Sequence, residues 1–422
     1  MLKKMICFLL TAAVAVSLAA CRTQTKTEQT TAAAVDTQTT AAEDTQTTVA
    51  ASTETVTAVA NVTSGGVIET AGLFTDRDLL QTADLTDAVY YTLSDGQNIT
   101  VTAAGVYVFT GSAANATVIV DAGDNDKVQL VLNGVSVTNT SFPCIYVKNA
   151  DKVFVTTTQT ENSLSVTGAF TADGSTNTDA AVFSKDDLVL NGLGTLTISS
   201  TDNGISCKDD LKITGGTIVI SCVSDALEAN DSIAIADGSV TVTTKKDGLH
   251  AEYDEDNTVG YVYICGGTLQ ITAADDGIHA TTYVQIDGGN LTISAAEGIE
   301  GTYVQVNGGE IDITAVDDGI NAGKKSNVST PTIEINGGYI TINMGAGDTD
   351  GIDANGNLYI NGGTVDVTAQ SPFDYDNTAE YNGGTIIVNG EVTNSITNQM
   401  MGGMAGGMAG GMPGNGGWGG HG

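Results

Sequence analysis

Glycine pairs recur through the second half of the chain at Gly215-Gly216, Gly266-Gly267, Gly288-Gly289, Gly308-Gly309, Gly337-Gly338, Gly362-Gly363 and Gly383-Gly384, with Gly238-Ser239 as a variant. They lie about 20 to 29 residues apart, so a basic unit of about 21 residues with loop insertions is repeated, the signature of a solenoid. Between pairs the side chains alternate with period two, as in TLQITA at 268–273 and EIDITA at 310–315. One face is apolar and the other is Thr, Gln and Asp, which predicts half-buried β-strands. Two or three short strands per coil, stacked in parallel at roughly 4.8 Å, predict an all-β parallel β-helix with single strands stacked coil on coil. Leucine-rich repeats have a similar period but need a leucine framework, and propellers need about 40 residues per blade. The Asp or Asn before each pair (Asp287, Asn307, Asn336, Asn361, Asn382) is expected to share with glycine the positive φ that a tight corner requires.

Four segments follow. Residues 1–20 carry Lys3 and Lys4 and then an apolar run too short for a comfortable span, which reads as a signal peptide. The run closes as Leu18-Ala19-Ala20-Cys21 and resembles the bacterial lipoprotein lipobox, so Cys21 is expected to be acylated and to anchor the chain to the outer face of a bacterial membrane. Residues 21–65 are rich in Thr, Ala and Gln, have no aromatic residue, and read as a disordered tether. Residues 66–399 hold the repeats, and 400–422 form a Gly/Met-rich tail that reads as flexible.

The chain has 50 acidic and 15 basic residues among 422, a net charge of −35. Such a surface does not hold a polyphosphate, which needs Lys and Arg clusters, and nucleic acid is excluded as a partner. Of the cysteines, Cys207 falls where other coils carry Ala229, Ala251, Ala280, Ala322 and Ala354, and Cys222 continues the inward alternation of Ile218 and Ile220. Both are predicted small core residues. Cys144 and Cys265 have no close partner in sequence, and paired zinc spacings are missing.

The acids concentrate at a second corner. Asp202-Asn203-Gly204-Ile205-Ser206, Asp225-Ala226-Leu227-Glu228, Asp247-Gly248-Leu249-His250, Asp276-Gly277-Ile278-His279, Glu297-Gly298-Ile299-Glu300, Asp318-Gly319-Ile320-Asn321 and Asp350-Gly351-Ile352-Asp353 share one pattern. The apolar third residue is expected to anchor inward, while the acid before glycine and the polar fourth residue project outward as two vertical rows. Carboxylates about 4.8 Å apart repel by roughly 1 kcal/mol in water and more near a protein surface. Calcium with oxygen ligands relieves that repulsion, and the candidate ligands are Asp225, Glu228, Asp247, Asp276, Glu297, Glu300, Asp318, Asp348, Asp350 and Asp353; solvated Asp-Gly turn chemistry is the alternative. An EF-hand loop is absent. His250 and His279 align in the same column, as hydrogen-bonded corner residues or as an acid–base pair. Tyr261, Tyr283 and Tyr303 each lie five residues before a glycine pair and are expected to point outward. They offer either platforms for sugar rings or stacking that stabilises the sheet surface.

Residues 74–79 (FTDRDL), 127–135 (KVQLVLNGV), 145–153 (IYVKNADKV) and 183–188 (FSKDDL), followed by the Gly-Gly and DGI coils, resemble the bacterial carbohydrate-binding β-helix family typified by a clostridial cellulose- and pectin-binding protein. The resemblance spans about residues 66 to 395. It implies a right-handed, polysaccharide-lyase-like β-helix with bound calcium that binds cellulose or polygalacturonate. Three functions compete: a surface polysaccharide-binding protein, a polysaccharide lyase or hydrolase, and a structural adhesin. Pectate lyases of this fold use an arginine base, and the chain has no arginine after Arg77; paired carboxylates leave inverting hydrolysis open.

Overall fold

The computed structural model describes residues 66–398 apart from 347 and 348. These residues form 34 strands and no helix, joined by hydrogen bonds into one continuous sheet. Strands recur in threes. Thr195–Ser199, Asn203–Cys207 and Asp210–Ile213 pair in parallel with Thr217–Ser221, Leu227–Ala229 and Ser232–Ile235 of the following coil. The same relation carries on through later coils, with Thr217 opposite Ser239, Ser239 opposite Thr268, Thr268 opposite Asn290 and Asn290 opposite Glu310. The fold is therefore all-β, mostly parallel and solenoid-like.

Alternation sets which side chains face inward. In Thr268–Thr272, Leu269 and Ile271 are buried while Thr268, Gln270 and Thr272 are exposed. Because registers are kept, Leu196, Ile218, Val240, Leu269, Leu291, Ile311, Ile340 and Val365 stack as one buried ladder. Each fully buried aliphatic side chain contributes about 1.5 to 3 kcal/mol. A second ladder runs through Ile205, Leu227, Leu249, Ile278, Ile299, Ile320, Ile352 and Phe373. Cys207 pairs with Ala229 in the register expected, and Cys144, Cys207, Cys222 and Cys265 are all buried.

The Gly-Gly corner differs from expectation. Positive φ falls on the second glycine, for example Gly267 at 85° and Gly338 at 85°, while the described non-glycine residues with positive φ are Asn115 and Asn389. The first glycine is needed for a different reason. A Cβ on Gly337 would lie 2.3 Å from the Asn307 carbonyl oxygen, and one on Gly266 would lie 2.3 Å from that of Ala236. The preceding asparagines form a ladder instead. Asn336 donates Nδ2–H to Asn307 Oδ1, Asn361 to Asn336 and Asn382 to Asn361, each at 2.8 Å.

Residues 66–81 cross the outside of the sheet as a strap. The amides of Val67 and Ile68 donate to Gln305 Oε1 (3.2 Å) and Gln285 Oε1 (2.8 Å). Ile68, Leu73 and Phe74 pack on Ala234, Tyr263 and Cys265. Farther along, Gln81 bonds the Thr214 carbonyl and the Gly192 amide, and the Arg77 guanidinium sits 4.4 Å over the Phe154 ring. At the other end, Glu391–Thr393 folds back antiparallel on Thr385–Val388 through Asn389 (φ 52°) and Gly390 (φ 83°), which covers part of the last sheet edge.

Candidate functional site

Strand register converts the second corner into two rows. The fourth-position row runs Ser206, Glu228, His250, His279, Glu300, Asn321, Asp353, Asp374. The acid row is linked through the backbone. Asp225 N–H donates to Asn203 Oδ1 (2.9 Å), Asp247 N–H to Asp225 Oδ1 (3.1 Å), Asp276 N–H to Asp247 Oδ1 (2.9 Å) and Asp350 N–H to Asp318 Oδ1 (3.3 Å). The carboxylates of Asp225, Asp247 and Asp318 thus each cap an amide of the next coil, and Asn203, rather than Asp202, heads the row. Glycine follows because a Cβ on Gly248 would meet the Gly277 carbonyl oxygen at 2.5 Å. These acids do not project freely into solvent, for Asp225, Asp247, Asp276 and Glu300 are all buried.

The column divides into two electrostatic halves. In the first, cations neutralise the acids. Lys208 pairs with Glu228 (2.9 Å), Lys246 with Asp225 (2.9 Å) and Lys325 with Glu300 (2.8 Å). His250 Nδ1 lies 2.5 Å from Asp247 Oδ2; His279 Nδ1 lies 2.9 Å from Asp276 Oδ2 and 2.8 Å from Glu300 Oε2. The rings stack with centroids 4.8 Å apart, and Glu252 Oε2 faces both at Nε2, 3.1 Å from His250 and 3.5 Å from His279. Burial opposes charging of the imidazoles, but hydrogen bonds to Asp247 and Glu252 raise His250 to about 9, and those to Asp276, Glu252 and Glu300 raise His279 to about 11. Hydrogen bonds from both histidines hold Glu252 well below the usual carboxylate range. Here the lysines and histidines are themselves part of the column and supply positive charge beside its carboxylates.

In the second half carboxylates mostly meet carboxylates. Burial, then Asp353, Glu297, Asp317 and Asp350, push Asp318 up to about 8. Burial raises Glu297 to about 7, with Glu300, Asp276 and Asp317 adding to it against a hydrogen bond from Asn321. Asp353 is raised to about 6, by burial first and by Asp374, Asp350 and Asp376. On either side of Asp353 in its row, Asn321 Oδ1 and Asp374 Oδ1 are buried acceptors with no donor. Asn321 turns its Nδ2 toward Glu297 (3.0 Å) and Glu300 (3.3 Å), which fixes its oxygen on the other side. Oxygen donors without protons are what a hard cation takes.

The tyrosines occupy a different column. Tyr283 and Tyr303 are register partners, half-buried, with ring centroids 6.4 Å apart and planes tilted by 52°; Tyr303 Oη donates to Glu334 Oε2 at 2.8 Å. Tyr261 belongs to the cluster of Ala234, Tyr263 and Cys265 on which the strap packs. Cys21, Asp348, the leader, the tether and the tail lie outside the described residues. The sequence does not single out Glu252, although period two places it on the same face as His250, and it does not show which acids Lys208, Lys246 and Lys325 pair with, since these lysines flank the motif at unequal distances.

A model of the family described as carbohydrate-binding domain-containing protein matches residues 95–346 and 298–397. A curated protein of Acetivibrio thermocellus with that same description is 34% identical over 126 residues, 28% of this chain and 43% of its own length. The chain therefore spans less than half of that relative. A solved structure described as a polysaccharide lyase-like protein from C. thermocellum, in a gadolinium derivative, is 26% identical with a TM-score of 0.45, covering 61% of this chain and 97% of that one.

Proposed function

The chain belongs to the carbohydrate-binding domain-containing protein family, and on that premise we propose that it is a cell-surface lipoprotein that binds a polysaccharide, pectin-like or cellulosic, with calcium held in the C-terminal half of the corner column. In this reading the coils form a single-stranded right-handed β-helix of about 21 residues per turn, and acylated Cys21 holds the body at the extracytoplasmic face of a bacterial membrane.

The observation that carries the calcium assignment is the pair of donorless buried oxygens, Asn321 Oδ1 and Asp374 Oδ1, bracketing Asp353. Together with Glu297, Asp318 and Asp350 they offer oxygen ligands to a cation that takes six to eight of them. The first-half acids Asp225, Glu228, Asp247, Asp276 and Glu300 already have protein cations opposite and support the coils. A calcium ion held on one side keeps positions for sugar hydroxyl or carboxylate oxygens, which reconciles a chain of charge −35 with an acidic polymer. Tyr283 and Tyr303 supply stacking surface that needs no cation.

The test is retention of the protein on polygalacturonate and on cellulose across a chelator titration, with melting followed in parallel. Loss of polygalacturonate binding by a still folded protein, restored by calcium and absent in Asp318→Asn with Asp353→Asn, is the expected result. Chelator-resistant binding to polygalacturonate by the folded protein would overturn the bridging role. Arg77, committed to the Phe154 ring, is not poised as a lyase base, so unsaturated products are not expected from either polymer.

A further inference from the structure

We propose that His250, Glu252 and His279 form a site for a divalent transition metal of the zinc class, separate from the calcium site proposed around Asp353. The chain contains 3 histidines, and two of them face each other across adjacent coils because Leu249 pairs with Ile278 and Ala251 with Ala280. Glu252, two residues beyond His250, reaches both rings at the same nitrogen type. Its Oε2 lies 3.1 Å from His250 Nε2 and 3.5 Å from His279 Nε2, and the three donor atoms all fall within 4.8 Å of one another. Two ligands each about 2.1 Å from a tetrahedral zinc lie about 3.4 Å apart, so two edges of the coordination polyhedron are already at length.

The opposite ring nitrogens are oriented as zinc ligands require. His250 Nδ1 is held by Asp247 Oδ2 at 2.5 Å, and His279 Nδ1 by Asp276 Oδ2 at 2.9 Å and Glu300 Oε2 at 2.8 Å. A carboxylate on Nδ1–H fixes the ring, so that when the metal displaces the Nε2 proton now shared with Glu252, the released lone pair faces the metal with raised basicity. Imidazole nitrogens select a borderline metal over calcium, which takes oxygen. Glu252 has a side chain 39% exposed against 15% and 11% for the two histidines, so the fourth position opens toward solvent on the carboxylate side. Asp225 and Glu300 carry their own lysines, Lys246 and Lys325, which leaves Asp247 and Asp276 to balance the ion.

The test uses the whole protein, stripped with chelator and titrated with Zn2+ by calorimetry and with Co2+ by visible absorption. One equivalent of zinc and the intense visible bands of four-coordinate cobalt are expected, with no displacement by excess calcium. Glu252→Gln and His279→Gln should each weaken zinc binding at least tenfold, and Asp276→Asn by about 10- to 100-fold, while Asp353→Asn leaves it unchanged. Melting curves identify any variant that fails to fold, and in that event Glu252→Gln, at the most exposed of the three positions, decides between the outcomes. No stoichiometric zinc on the stripped wild-type protein, or undiminished affinity in folded Glu252→Gln, overturns the proposal. So does a loss that follows Asp353→Asn instead, which would move the metal to the calcium half of the column.

Discussion

Lys325 sets its Nζ 2.8 Å from Oε1 of Glu300, and this pair marks where the neutralised half of the corner column ends. The lysine is 40% exposed and the glutamate 6%, so the bond is stronger than a surface pair but weaker than a buried one. Lys325→Met is expected to cost about 1 kcal/mol in a urea titration near neutral pH. Although burial opposes its charge, hydrogen bonds from His279 and Lys325 hold Glu300 below its ordinary value. Its contribution is therefore present above the unfolded pKa and lost as pH falls through the folded one. Wild type and variant should converge in acid; an undiminished difference there would mean that the lysine acts through packing.

In the other half three carboxyls shift in the direction opposite to Glu300. Asp318, Glu297 and Asp353 are raised to about 8, about 7 and about 6, chiefly by burial. A carboxyl whose folded pKa is raised binds more protons folded than unfolded, so stability falls as pH rises from about 4 toward the folded values. In chelator the urea midpoint should drop between pH 5 and pH 8, and Asp318→Asn should flatten that drop while keeping the oxygen that accepts the Asp350 amide. With calcium the wild-type protein should regain its midpoint at pH 8 and the variant should not. A midpoint in chelator that is flat or rises over this range would contradict the account.

Two glycines test the packing of the corners. Gly363 has φ 74° and its added Cβ would lie 2.7 Å from both Gly337 C and Gly338 O, whereas Gly390 has φ 83° with nothing within 4 Å. Gly390→Ala is expected to lose about 1 to 2 kcal/mol, the cost of a left-handed alanine. Gly363→Ala bears the same cost and displaces a neighbouring coil as well, so its chemical melt should show the larger loss. Equal losses would mean that coil spacing yields readily.

Localisation is tested with Cys21→Ala. Cell fractionation should move the protein from the membrane to the soluble extracytoplasmic fraction, and continued quantitative membrane association would refute acylation at this residue.

The repeat was legible because glycine pairs and period-two alternation report local backbone needs that every coil shares. Leu269, Ile271 and Cys207 could be placed inward from that pattern alone. The corner rows were legible as an alignment, but their charge state was not. Lys246 precedes its motif and Lys325 follows its own across a loop, so pairing depends on how the loops fold back. The role of Asp287, Asn307 and Asn336 was misread because side-chain stacking between coils leaves no mark on local φ preferences. The strap was invisible for a related reason. Its bonds to Gln285 and Gln305 join segments 217 and 238 residues apart, and nothing periodic announces them.

That strap changes what kind of thermodynamic object the solenoid is. Stacked coils that touch only their neighbours behave as a one-dimensional array, able to open from either end one unit at a time. A segment bonded to Gln305 at one end and lying over Phe154 at the other spans many units at once, and no coil beneath it can open without loosening contacts that belong to distant ones. Hydrogen exchange should therefore report a single cooperative block from about Phe154 to Gln305, with the coils beyond it fraying on their own.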